Sequence, residues 1–239
     1  MHHRIISIGA LDRNPYWDRD AERAASEGVA CVRPGHSTCT LVISESHGTE
    51  RRILVDPGLP APIIAARLNE RSGLRPEDIT HVFLTCFRPE GRRGLDAFEH
   101  ATWWISVEER ENVGVPMVTG LRRAREEGEN ELADALERDV ALLQRCEAAP
   151  DTLADRVDLF PLPGVTPGMC GLLLEDPRHT TLICGDALLS FEHIERGQIA
   201  PWTGNLARAK ESFAEAIEIA DLLIPGRDNL LVNPVKRPF

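Results

Sequence analysis

Cys86, Arg88 and Glu90 fall within one short segment, Thr85-Cys86-Phe87-Arg88-Pro89-Glu90-Gly91. A thiol, a guanidinium and a carboxylate this close in sequence could serve nucleophilic attack, anion binding or metal ligation. A cysteine beside an arginine has its thiolate favoured, and the thiolate is the nucleophilic form. No motif supplies a base for Cys86, so a small buried thiol is the preferred reading. Arg88, with Arg92 and Arg93, forms a local basic cluster able to bind one small anion. Arginine stays protonated and has no lone pair to give, so it is never a metal ligand, and its charge repels a cation. Other acidic and basic groups sit in turn-like contexts: Asp56 in Ile53-Leu54-Val55-Asp56-Pro57-Gly58, Asp186 in Cys184-Gly185-Asp186-Ala187, and Arg227 in Ile224-Pro225-Gly226-Arg227-Asp228.

The elements that must position these groups alternate along the chain. Apolar runs predict strands at Arg4–Ala10, Thr38–Ser44, Arg52–Val55, Thr80–Thr85 and Thr102–Ile105. Pro62–Leu68 reads as a helix ending at Gly73, and Leu95–Phe98 as a helical turn. Ser106 and Glu109 match a capping box for the next helix. Residues 117–149 are charged and carry Leu132, Leu136, Val140 and Leu143 at helical spacing, which predicts a helical insert. Its stripe needs a neighbour to cover it, and packing on its own domain is preferred to a dimer contact. Strands resume at Val157–Leu162, Gly171–Leu174 and Thr181–Cys184. A helix at Leu206–Ala220 turns Leu206, Phe213, Ile217 and Ala220 inward, and Leu222–Ile224 is the last strand. Trp103 and Trp104 point to opposite faces of their strand. Strand clusters with helices between them imply layered α/β packing.

With the elements placed, the chain resembles the metallo-β-lactamase superfamily over roughly residues 36–232. Ile53–Gly58 is similar to the strand-Asp-x-Gly motif, and residues 85–91 stand where Thr-His-x-His-x-Asp-His would be. Gly164-Val165-Thr166-Pro167-Gly168 resembles the third motif's Thr-Pro-Gly, Cys184–Ala187 the Gly-Asp motif, and Ile224–Asp228 the last strand's Pro-Gly-His. The resemblance implies a single domain over residues 1–239 with the insert at about 117–149, folded as a four-layer αββα sandwich.

It also implies a hydrolase site with one or two metals, usually zinc, held by histidines and aspartates. Carried over residue by residue, those ligand positions fall on Cys86, Arg88, Glu90, Gly91, Met169, Asp186 and Arg227. No histidine stands at any of the histidine positions, although the chain has eight elsewhere. Asp186 is kept, and Glu90 is a longer carboxylate in place of Asp. Cys86, Glu90 and Asp186 alone could serve zinc or another divalent ion, with guanidiniums beside them. The expectation is therefore no cofactor, a dismantled metal site and a non-catalytic or small-ligand-binding homologue. The alternative is a lactone, thioester or phosphoester hydrolase with a non-standard metal site on those three residues.

Within the same resemblance, His36, Asp56 and Trp202 are pocket candidates. A turn or capping role is the commoner outcome for His36. A wall of the pocket and an anchor under a loop are equally good readings of Trp202. Arg88 and Arg227 should neutralise Glu90 and Asp186, because an unpaired buried charge is expensive.

Composition sets the partners. The net charge is −11, with 42% hydrophobic and 27% charged residues. That excludes an extended phosphate-binding surface and so a nucleic-acid partner. No apolar run reaches a membrane span. Met1-His2-His3-Arg4-Ile5-Ile6 lacks a signal-peptide core, so a cytoplasmic address is expected, with a small molecule as ligand and an anion among the candidates. The six cysteines (31, 39, 86, 146, 170, 184) form no C-x-x-C pair and read as reduced thiols. Phosphate-loop, dinucleotide and Gly-x-Ser-x-Gly signatures are absent.

Overall fold

The computed structural model describes residues 1–16 and 34–236. Two six-stranded sheets form the centre. The first runs β1 (His2–Ser7), β2 (Cys39–Ser46), β3 (Thr49–Val55), β4 (His81–Phe83), β5 (Thr102–Ile105) and β6 (Glu147–Ala148) in spatial as in chain order. β1, β2 and β3 are antiparallel, whereas β3 to β6 are parallel. The second holds β7 (Thr152–Ala154), β8 (Val157–Pro161), β9 (Cys170–Glu175), β10 (Thr180–Gly185), β11 (Leu222–Pro225) and β12 (Leu231–Val232), again in sequence. Its one parallel pair is β10 with β11. The helices are α1 (Ala61–Ser72), α2 (Pro89–Arg92), α3 (Val107–Glu127), α4 (Asn130–Arg145), α5 (Phe191–Glu195) and α6 (Leu206–Ile219).

Side chains alternate across a strand, so consecutive residues feed different layers. Val42, Ile53, Val55, Phe83 and Trp104 pack with Leu172, Leu174, Ile183 and Ile224 between the sheets. Their neighbours Leu41, Leu54, Val82 and Trp103 pack with Ile64 and Leu68 of α1 and Leu143 of α4. On the other side, Leu182, Cys184 and Leu223 meet Ala216 of α6. Helix, sheet, sheet and helix thus form four layers, the αββα sandwich expected. Phe83 and Trp103 are fully buried, each a contribution of roughly 1.5–3 kcal/mol.

Several local expectations change. β1 ends at Ser7 because its register shifts between Ile5 and Ser7; Ala10 makes only an isolated bridge to His36. The helix that Ser106 was expected to cap does start at Val107, its hydroxyl accepting the Glu109 N–H, but it runs on to Glu127, well into the insert. Residues 117–149 become the end of α3, all of α4 and strand β6. Leu143 of the expected stripe is buried, but Leu132 is 47% exposed. Phe213 and Ile217 of α6 pack on the core and Ala220 after it is buried, as expected, joined by Ala209, Ser212 and Ala216, but Leu206 in the first turn is exposed. Cys39, Cys86, Cys146, Cys170 and Cys184 are buried free thiols; Cys31 lies outside the described residues.

Candidate functional site

The loops that leave the parallel strands meet at one end of the sandwich. β3 ends at Val55 and delivers Asp56, β4 delivers residues 84–91, β10 delivers Asp186 and β11 delivers Arg227. Backbone hydrogen bonds stitch these loops together. Ser37 N–H donates to Glu90 O, Thr38 N–H to Gly226 O, and Arg227 N–H to Leu189 O. Two glycines make the convergence possible. Gly185 has φ 52°, and a Cβ there would lie 2.6 Å from Thr85 Oγ1. A Cβ on Gly226 would come within 2.6 Å of Asp186 Oδ1.

At the centre, Arg227 grips Asp186 with both arms of its fork: Nε donates to Oδ1 at 2.8 Å and Nη2 to Oδ2 at 2.7 Å. The side chains are 2% and 3% exposed. Burial lowers the Arg227 pKa, but the Asp186 charge and hydrogen bonds together with the Glu90 charge more than offset it, so the guanidinium is held above its usual range. Arg88 is less covered, at 29%. Its Nε lies 3.8 Å from Asp186 Oδ2 and 3.5 Å from Glu90 Oε2. Arg88, Glu90, Asp186 and Arg227 therefore form one balanced group of charges.

Trp202 covers this group. The Arg88 guanidinium carbon sits 5.0 Å from its ring centroid and that of Arg227 5.8 Å, both within cation–π range. Trp202 also packs against the cluster that holds Leu182, Cys184 and Leu223. Three polar atoms here are buried without a hydrogen bond: Arg88 Nε, Trp202 Nε1 and Glu90 Oε2. Two are donors and one is an acceptor.

The remaining candidates line or support the floor. Cys86 is 5% exposed, and burial first, then the Asp186 charge, pushes its thiol well above the ordinary range. A reactive thiolate is therefore disfavoured. Met169 is fully buried beside Cys86 and Cys184. Gly91 is buried against Asp56, where a Cβ would lie 3.3 Å from Oδ1. Asp56, at φ 49°, accepts from Thr85 N–H at 2.9 Å and from its hydroxyl at 2.6 Å. Burial raises its pKa to about 7, the Thr85 bonds oppose that, and Asp186 adds to it. His36 is held at the exit of β1, bridged to Ala10 and with Nε2 3.1 Å from Ile8 O.

One residue of the site was hidden in the sequence by a different role. Glu109 matches the reciprocal member of a capping box, yet its carboxylate does not turn back to Ser106. It is fully buried and accepts from Phe87 N–H and Gly168 N–H, both at 3.0 Å. It thereby ties the Cys86–Gly91 loop to the Thr166–Gly168 loop. The absence of a polar partner for residues 87 and 168 within their own loops was the only signal for it.

With this geometry in view, comparisons give the kinship. The family model for the metallo-beta-lactamase superfamily matches residues 32–85. No curated protein matches. Among solved structures, a putative metallo-beta-lactamase from Thermotoga maritima is 17% identical, with 97% of this chain and 98% of that one covered and a TM-score of 0.65. AidC, a dizinc quorum-quenching lactonase in complex with the product N-hexanoyl-L-homoserine, is 18% identical over 76% of this chain and 68% of its own, with a TM-score of 0.58. An N-acyl homoserine lactone hydrolase with N-hexanoyl-L-homoserine at its catalytic metal center is 16% identical, covers 91% and 86%, and has a TM-score of 0.54.

These neighbours correct the expectation of no cofactor, since the fold is shared with a dizinc lactonase and with a hydrolase built on a catalytic metal center. The expectation let the substituted ligand positions of this chain outweigh the one or two metals that the resemblance implies. The side chains at the site do not fit a two-metal arrangement as they stand. Among the described residues, no three or more His, Cys, Asp or Glu side chains gather in a group able to hold a metal ion, and both oxygens of Asp186 are bound by Arg227. The shared motifs, the paired six-stranded sheets and these neighbours lead to one conclusion: the chain is a metallo-β-lactamase-fold protein.

Proposed function

We propose that this metallo-β-lactamase-fold protein is a pseudoenzyme that binds a small carboxylate-bearing ligand against Arg88, Glu90 and Trp202. The observation that carries the reading is the trio of buried, unbonded polar atoms, Arg88 Nε, Trp202 Nε1 and Glu90 Oε2. Arg88 Nε and Glu90 Oε2 face each other at 3.5 Å without a hydrogen bond and Trp202 Nε1 makes none, so a ligand that hydrogen-bonds all three gains energy on binding. A carboxylate accepts from the two donors, and a hydroxyl or ammonium on the same molecule donates to Glu90. Arg227 and Asp186 are already neutralised by each other and form the rigid floor.

The same geometry speaks against hydrolysis by the chain's own groups. Asp186 and Glu90 are weakened as bases because guanidiniums stabilise their charged forms, Arg227 through two hydrogen bonds to Asp186 and Arg88 at 3.5 Å from Glu90. Cys86 is held as a thiol. A second reading, hydrolysis of a lactone, thioester or phosphoester with a metal on Cys86, Glu90 and Asp186, draws on the printed activities of the fold neighbours.

Calorimetric titration with acetate, L-lactate and N-hexanoyl-L-homoserine separates the two. The binding reading predicts saturation, strongest for the hydroxyl-bearing acids, and weakening of about tenfold or more, ~1.4 kcal/mol, in Arg88→Met and Trp202→Phe. Turnover of N-hexanoyl-homoserine lactone in zinc-supplemented buffer, abolished by Asp186→Ala, overturns it in favour of the second.

A further inference from the structure

From a surface remote from this site, we infer that the protein forms a two-fold dimer in which α3 packs antiparallel against α3 of a second copy. Val107, Val115 and Val118 are exposed on α3 by 42%, 69% and 42%. Single exposed apolar residues need no explanation, but these are spaced along one helix face and share it with a groove of ≈ 470 Å³. Gly114, Glu111 and Arg122 line the same groove. The face adjoins the one that meets α4, where Gly114 and Gly120 approach Leu143 and Leu136.

The occupant is identified by the order of charges. A two-fold interface pairs a surface with itself, so it must be self-complementary. The N-terminal half of this face carries Glu108 and Glu111, and the C-terminal half carries Arg122. Among the described residues none of these three is in an ion pair. An antiparallel pair centred between Gly114 and Val115 sets Val115 level with the partner's Gly114. Glu111 then lies level with the partner's Val118, and Val107 with the partner's Arg122. Glu108 and Glu111 then stand about 1.5 and 6 Å along the axis from that arginine. Arg110 lies in the same stretch, so each end of the pair balances two carboxylates against two guanidiniums. A parallel pair would put like charges together at both ends. Each copy carries a net charge of −11, so association depends on this local order opposing long-range repulsion.

Sedimentation equilibrium of the full chain tests the inference. The wild type should be a dimer that dissociates on dilution. Val115→Lys should be a monomer at every concentration with an unchanged far-UV spectrum, because the residue is exposed. Arg122→Glu should weaken association by about tenfold or more, and adding Glu111→Lys to it, which returns each end to two carboxylates against two cations, should restore the dimer. A wild-type monomer up to several hundred micromolar, or a dimer indifferent to Val115→Lys, overturns it.

Discussion

Arg227 holds Asp186 through both carboxylate oxygens, at 2.8 and 2.7 Å, in a site where neither side chain is more than 3% exposed. Breaking such a pair leaves one charge buried and uncompensated. Arg227→Ala is expected to lower stability by about 3–5 kcal/mol, read as a shift in the urea unfolding midpoint at constant slope. Replacing both partners by apolar residues of similar size, as in Asp186→Leu with Arg227→Met, should cost markedly less than Arg227→Ala alone. Equal losses for the single and double variants would show that the pair contributes through shape and not charge.

Glu109 should behave as a tie between loops. Glu109→Ala strands two buried N–H groups, Phe87 and Gly168, at about 1–3 kcal/mol each. Glu109→Gln keeps one acceptor oxygen and should retain roughly half the effect. Hydrogen exchange checks the mechanism: the amides of Phe87 and Gly168 should lose protection selectively in Glu109→Ala. Unchanged protection at both would contradict the tie.

Asp56 predicts a pH dependence. Its folded pKa is raised to about 7 from an ordinary value near 3.8, so between these limits the folded state binds more protons than the unfolded. Stability from this group is therefore fully present below about pH 3.8 and is lost as pH rises through about 7. Asp56→Asn removes the titration and keeps an acceptor for Thr85 N–H. The wild type minus Asp56→Asn difference in unfolding free energy should fall between pH 4 and 8. A difference that rises over that range would mean that Thr85 and Arg227 outweigh burial.

The framework was legible because the periodicities are strong. The run His81–Phe83 and the pair Trp103-Trp104 occupy strands with both faces buried, which leaves no other way to satisfy so many apolar side chains. The turn residues placed Asp56, Asp186 and Arg227 at strand ends, and charge neutrality foretold that Arg227 would find a carboxylate. Glu109 was misread because a capping box and a buried bridge between loops use the same residue at the same spacing. Leu206 was misread because a helix's first turn can overhang the layer that its later turns pack against. The α3 face was missed because valines at 107, 115 and 118 sit among charges, and whether α4 covers them depends on how the hairpin is rotated.

The most direct test of the account is titration calorimetry of N-hexanoyl-L-homoserine into the wild type, Arg88→Met and Trp202→Phe. Arg88 is partly exposed, so its loss should change stability little, by no more than about 1 kcal/mol, and any effect reads on the ligand. The account predicts saturable binding to the wild type and weakening of about tenfold or more in each variant, with all three proteins folded. No saturable heat with the wild type, or equal affinity in all three, would contradict it.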